Sequence, residues 1–532
     1  MATELHPATR ALLEFLQTPL DELIAPTTSS NGSKDPPEAQ RRLLATFATL
    51  VAHVPAYKTF LQASRVDHAT VSSFEDLLQS APYVDKFNYI NQYQLADRSF
   101  DGNISTHDFL HCSSGSGGSP TFWGRFSNDE LDICIRMEQF MHDSFRAHLV
   151  KSLVVICFPL GSWVGGLFTI LTMRNLSMKN YKITLVTPGT NVADILRIVQ
   201  TMSPSFEQTI VVGYPPFVKT VIDAGILAHV HWEQKNIKLV FAGEVFSEEW
   251  RDLVRTRAGI KCPETDIVSM YGTADAGVLA TETPLSIHIR RLLSRTLEAG
   301  DDGHGKPQTE IVHKIFGKER LPTLCQYDPC VRWFELTPKQ TLALSTIGRS
   351  SAAWPTAPLL RYDIGDDGGC LSYEDMVKTV QDLVGQDPVA HLQTALGDRA
   401  PPIRKLPFVW VFGRKMWVVS YFGANVYVEN IMVGLEQPEV ASFVTGKFVL
   451  QVAEDEESMD SFLQVIVELA PDIPPMTDLA ATLSKSIHTH LCRLNSEFCN
   501  YVPKERQTIS VVLHNHGDPK WFPVGVKHKY TL

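Results

Sequence analysis

Ser152-Leu-Val-Val-Ile-Cys-Phe-Pro-Leu-Gly-Ser-Trp-Val-Gly-Gly-Leu-Phe-Thr-Ile-Leu-Thr-Met173 runs without a charge between Lys151 and Arg174. The stretch is long enough to cross a bilayer, yet its internal order speaks for something else. Leu153 to Cys157 is a β-branched run, Pro159-Leu160-Gly161 breaks it, and Ser162 can cap a helix starting at Trp163. The reading is a buried strand, a turn and a buried helix, with no membrane span. Outward from it, between about residues 130 and 280, helical patterns alternate with further short β-rich runs: Lys182 to Val186, Thr209 to Val212, Ile237 to Phe241 and Ile267 to Met270. Such alternation predicts an α/β fold, a parallel sheet covered by helices, with ligands beyond the carboxyl ends of the strands.

The rest of the chain is organised around this sheet. The first 60 residues are helical in pattern, interrupted by a polar break at Thr27 to Ser33 and by Pro36-Pro37. Between about 300 and 370 glycine and proline rise and helical periodicity fades, which predicts a smaller β-rich subdomain. Pro401-Pro402 and Pro407 suggest a linker, so residues 1–405 are expected to form a large N-terminal domain and 406–532 a small mobile α+β domain. In the latter, Phe408 to Phe412 and Trp417 to Tyr421 read as a hairpin.

Composition bounds the function classes. With 532 residues, 44% of them apolar, the chain can bury a large core. Its net charge of −11 opposes binding to a polyanionic duplex, so nucleic acid is not an expected partner. Nine cysteines without a C-x-x-C pair fit a reduced, cytoplasmic chain. The histidine pairs His229/His231 and His514/His516 lack the third ligand of a catalytic zinc site.

Five segments carry residues suited to chemistry. Ser113-Ser114-Gly115-Ser116-Gly117-Gly118-Ser119-Pro120-Thr121 has little side-chain bulk and can aim amides and hydroxyls at one anion. It lacks the lysine of a Walker loop, and a flexible linker has the same composition. Phe241-Ala242-Gly243-Glu244 and Met270-Tyr271-Gly272-Thr273-Ala274-Asp275 each close an expected strand. Arg361-Tyr362-Asp363-Ile364-Gly365-Asp366 offers carboxylates, and Gly413-Arg414 with Gly423-Ala424-Asn425-Val426 lies past the linker.

In this order the segments resemble the adenylate-forming superfamily of acyl-CoA synthetases, luciferases and adenylation domains. The phenylacetate-CoA ligase branch is the nearest match, through His53-Val54-Pro55-Ala56-Tyr57, Ser73 to Leu77 and Pro82-Tyr83-Val84-Asp85-Lys86. The resemblance implies ATP, Mg²⁺ and a small carboxylic acid, an acyl-adenylate with release of pyrophosphate, and transfer to a thiol such as CoA. By the same resemblance Ser113, Ser114, Gly115, Ser116, Gly117 and Gly118 hold phosphates, while Gly243, Glu244, Tyr271, Gly272, Thr273 and Arg414 surround the nucleotide. Asp366 takes the ribose and Asp275 the metal. In Gly525-Val526-Lys527-His528-Lys529, Lys527 is the implied catalytic lysine, ahead of Lys529. Trp163, Gly165-Gly166, Tyr214, Ala242 and Gly277 are candidate walls for an aromatic or hydrophobic acid, although core packing accounts for such residues equally. Gly423 and Asn425 fall on the acceptor side, reached by rotation of the small domain.

Three positions depart from the superfamily pattern: Ser119 stands for a lysine, Ala274 for a hydroxyl residue and Asp275 for a glutamate. Each weakens a phosphate or metal contact, which keeps two rivals open, an amide ligase using an amine and a degenerate protein that binds a nucleotide or acyl-adenylate without turnover. A homodimer is left open as well.

Overall fold

The computed structural model describes residues 5–113, 121–160, 164–298, 308–318, 321–348, 357–414, 418–455, 457–522 and 530–531. Helices Pro7–Gln17, Leu20–Thr28, Pro37–His53 and Pro55–Ala63 open the chain. The strands are β1 (Phe109–Ser113), β2 (Thr121–Arg125), β3 (Ser152–Cys157), β4 (Ile183–Val186), β5 (Gln208–Gly213), β6 (Ile237–Ala242), β7 (Ile267–Thr273), β8 (Gly277–Thr281) and β9 (Thr323–Gln326). They continue as β10 (Arg332–Leu336), β11 (Thr341–Thr346), β12 (Tyr362–Leu371), β13 (Phe408–Arg414), β14 (Val418–Tyr421), β15 (Ala424–Tyr427), β16 (Val444–Glu454), β17 (Ser461–Leu469) and β18 (Ile509–His514).

Among the described residues, eleven strands form one sheet in the order β10-β11-β12-β13-β9-β8-β7-β6-β5-β3-β4. The α/β fold expected from the alternation is observed. Strands β4, β3, β5, β6 and β7 are parallel neighbours, separated in sequence by the helices Val164–Met178, Val192–Met202, Pro215–Leu227 and Glu248–Arg257. β3 and β5 are buried along their whole length, which is why Leu153 to Cys157 and Ile210 to Val212 are unbroken apolar runs rather than alternating ones. From β7 onward the sheet turns antiparallel, through β8 and β9 to β13. The β-rich stretch before residue 371 supplies β9 to β12 of this same sheet.

Contacts divide the chain into two compact units: residues 1–112, 122–213 and 221–413 in the first, and 113–121, 214–220 and 414–532 in the second. In the first, the N-terminal helices and strands β9 to β12 share a core that includes Leu43, Phe47, Tyr57, Leu77, Tyr327 and Tyr362. In the second, β16, β17 and β18 form a three-stranded sheet and β14 pairs with β15.

The hairpin expected over Phe408 to Tyr421 is corrected. β13 pairs with β9, Phe408 opposite Gln326 and Val411 opposite Thr323, inside the large sheet. The hairpin is β14–β15, with Tyr421 opposite Ala424. Its two-residue turn holds Phe422 at φ 51° and Gly423 at φ 80°, the positive pair that matches the twist of hairpin strands.

Candidate functional site

Parallel pairing sets the first part of the site. Ala242 lies opposite Met270, so Gly243 and Glu244 leave β6 beside the point where Tyr271 and Gly272 extend β7. Gly243 is exposed and adopts φ 88°, a conformation open to glycine at no Cβ cost. Glu244 and Ala242 are half-buried.

β7 and β8 make a hairpin in which Thr273 faces Gly277 across Ala274-Asp275-Ala276. Gly277 is buried at φ 74°, and a Cβ there would lie 2.7 Å from Ile133 Cδ1. Its missing side chain therefore serves turn geometry and packing together. The Ala274 carbonyl accepts from His111 Nε2 at 2.7 Å and from Arg125 NH2 at 2.8 Å. Because that acceptor is a carbonyl, the His111 proton sits on Nε2. Burial, with the Arg125 charge beside it, holds His111 far below the usual imidazole range, to about 3. Burial also lowers Arg125, to about 10.

Asp275 is 2% exposed. The Tyr362 hydroxyl donates to its Oδ2 at 2.6 Å, and Lys86 Nζ stands 3.6 Å from its Oδ1. A buried carboxylate needs donors or a cation to offset the water it loses, and Tyr362 and Lys86 stand in that position. Four residues along β12, Asp366 accepts from the Tyr271 hydroxyl at 2.7 Å. The Tyr271 ring stacks on Phe334, with centroids 6.4 Å apart.

Lys86 reaches Asp275 because its segment is sewn to the start of β12. Val84 bridges Tyr362 in parallel, with Val84 N donating to Arg361 O and Asp363 N to Val84 O. Arg361, at φ 50°, grips Glu335 through Nε and NH2, each at 2.8 Å, and its NH1 donates to the carbonyls of Leu78 (2.8 Å) and Ala81. Sequence reasoning quoted the 82–86 and 361–366 segments but gave Lys86 and Tyr362 no role, and it missed His111 and Arg125 altogether. A lysine shortly after a proline and a tyrosine preceding an aspartate are weak signals, since each partner is remote in the chain.

Of the other expected site residues, Ser113 ends β1 and is buried. Ser114, Gly115, Ser116, Gly117 and Gly118, together with Trp163, Lys527 and Lys529, lie outside the described residues. Arg414 ends β13. In the second unit Tyr214 stacks on Tyr501, with centroids 5.8 Å apart, and a Cβ at Gly423 would fall 2.2 Å from Tyr214 Cζ. Two residues expected in different roles, acid wall and acceptor face, are thus neighbours. Asn425 is held through its backbone N and Nδ2 by Glu497 Oε2, at 2.9 and 3.2 Å. Among the described residues no group of three or more His, Cys, Asp or Glu side chains could hold a metal, and no helix is long and apolar enough to cross a membrane.

No family model matches the chain, and no curated protein matches it in sequence. Solved structures do. The chain is similar to 2-hydroxyisobutyryl-CoA ligase in complex with 2-HIB-AMP and CoA, at 14% identity over 100% of this chain and 94% of that one, with a TM-score of 0.60. Weaker likenesses include a malonyl-CoA ligase (12% identity, 77% of this chain and 70% of that one, TM-score 0.40) and the amide bond synthetase of Marinactinospora thermotolerans (13%, 76% and 65%, TM-score 0.33). The first of these likenesses shows that the chain shares the fold of that CoA ligase.

Proposed function

We propose that the protein is an ATP-dependent carboxylic acid ligase of the phenylacetate-CoA ligase type. It joins an aromatic or hydrophobic acid to AMP with release of pyrophosphate, then passes the acyl group to CoA. The observation that supports this reading is one chain of contacts: β1, which leads into the Ser/Gly segment, is tied through His111 to Ala274; the next residue, Asp275, is tied to Tyr362; and Asp366 on the same strand is tied to Tyr271. Two segments that resemble nucleotide motifs, 270–275 and 361–366, are therefore joined to one another and to β1 beside the end of β7, and α/β sheets bind ligands at strand ends.

In the first step the acid carboxylate attacks the α-phosphorus and the bond to pyrophosphate breaks. Ser113 to Gly118 would hold the β- and γ-phosphates with amides and hydroxyls. Gly243, Glu244, Gly272, Thr273 and Arg414 would contact the nucleotide, Tyr271 would lie against adenine, and Asp366 would accept from ribose hydroxyls. ATP would enter as its Mg²⁺ complex. One carboxylate plus phosphate oxygens suits that cation, so Asp275 fits as its protein ligand, with Lys86 beside it as a further cation for the triphosphate. Lys527 would stabilise charge on the oxygens linking the acyl group and phosphorus. Its replacement by alanine should lower the rate by about 10² to 10³, as loss of one oxyanion donor does.

Trp163, Tyr214, Ala242 and Gly277 would bound the acid, and Gly423 and Asn425 the acceptor. The decisive measurement is acid-dependent exchange of labelled pyrophosphate into ATP across a series of aromatic and fatty acids. Exchange that depends on the acid and falls in Asp366→Ala supports the ligase. A protein that binds ATP without exchange with any acid is a binder instead, and adenylate consumed by amines but never by CoA identifies an amide ligase.

A further inference from the structure

Of the nine cysteines, six are buried, while Cys370, Cys492 and Cys499 are half-buried. Cys492 and Cys499 stand together in the second unit. Cys492 closes the last turns of helix Thr477–Leu494, and Cys499 lies on the short helix Ser496–Tyr501. The Cys499 thiol donates to the Cys492 carbonyl at 3.3 Å, which sets the Cys499 sulfur against the residue that carries the other thiol. His488 Nε2 lies 3.6 Å from Cys492 Sγ, where it can take up that thiol's proton. Burial and the neighbouring Cys499 push the Cys492 thiol up, so in the reduced protein it is held protonated.

Between the two thiols sits a clamp. Asn495 Nδ2 donates to Asn425 O at 2.7 Å and to Asn430 Oδ1 at 3.0 Å, and Glu497 Oε2 accepts from Asn425 N and Nδ2. With the Cys499 thiol now turned to the Cys492 carbonyl, drawing the two sulfurs to a bond of about 2 Å must move the two helix ends that carry this clamp.

We propose that Cys492 and Cys499 form a reversible oxidation site, whose disulfide loosens the grip of Asn495 and Glu497 on the β14–β15 hairpin. The oxidant is a low-molecular-weight disulfide such as glutathione disulfide. The Cys499 thiolate attacks one of its sulfurs, and one glutathione leaves as thiolate. Cys492, its proton passed to His488, then attacks the Cys499 sulfur of the mixed disulfide and expels the second glutathione. Two electrons and two protons leave the dithiol, and one glutathione disulfide becomes two glutathiones.

The test uses the full-length native protein, reduced and then exposed to glutathione disulfide, with intact-mass measurement and tryptic mapping. Arg493 lies between the cysteines, so trypsin separates them unless a bond joins the peptides. Expected are a loss of two hydrogen masses, joined peptides, reversal by dithiothreitol, and a single glutathione retained on Cys499 in Cys492→Ser. Stable glutathione adducts on both cysteines of the wild type, or no reaction, overturn the proposal. Hydrogen exchange in the 418–427 peptide should quicken about tenfold on oxidation of the wild type, as a local opening does, and stay unchanged in Cys492→Ser. An unchanged rate in the oxidised wild type overturns the coupling to the hairpin. Neither readout depends on ligase activity.

Discussion

Asp275 shows how a single carboxylate is accommodated inside the protein. Tyr362 donates to one oxygen and Lys86 faces the other, and both partners come from segments far away in the chain. Removing the cation alone leaves a buried charge uncompensated, so Lys86→Met should destabilise the fold by about 3–5 kcal/mol in urea titration. The double variant Lys86→Met/Asp275→Asn should recover part of that loss, and additive effects in the cycle would reject the pairing. Tyr271→Phe removes the hydroxyl donated to Asp366. It should cost about 1 kcal/mol of stability and raise the KM for ATP more than it lowers kcat, measured in the pyrophosphate-exchange assay.

At the level of elements, the β7–β8 hairpin leaves little room for change at its turn. Gly277 sits at φ 74° with Ile133 Cδ1 where a Cβ would be. Gly277→Ala should cost about 1–3 kcal/mol in thermal or urea unfolding. Adding Ile133→Val should relieve the crowding and leave the backbone strain, so recovery is partial; full recovery would mean that φ costs nothing there. The strands themselves were readable because a buried parallel strand is largely apolar on both faces, as in Leu153 to Cys157 of β3 and Ile210 to Val212 of β5. The misplaced hairpin has the opposite cause. β13 looks like any hairpin strand locally, and only its register against β9, a partner separated from it by β10, β11 and β12, decides that it belongs to the large sheet.

Across the whole molecule, buried ionisable groups tie stability to pH. His111 is neutral in the fold down to about 3, whereas an unfolded histidine takes a proton near 6.5. Between those values the unfolded state binds more protons, so the His111 contribution falls as pH drops from about 6.5, by about 1.4 kcal/mol per pH unit. Glu130 acts in the opposite sense. Burial, with Asp108 and Asp129 nearby, raises it to about 7, so the fold binds the extra proton below that pH and gains stability as pH falls towards the unfolded carboxyl value. Comparing His111→Gln with wild type at pH 7 and pH 5 isolates the first effect: the variant should lose less stability on acidification, and equal losses would refute it. The amino-acid sequence by itself determined the α/β alternation, the positions of the parallel strands and the order of the glycine-rich and acidic segments, because hydrophobic period and backbone freedom are local properties. Only the tertiary structure decided that Lys86 and Tyr362 hold Asp275, that His111 and Arg125 share the Ala274 carbonyl, and that β13 joins the large sheet. Those pairings depend on which distant segments are brought within hydrogen-bonding reach, and no local pattern encodes that distance.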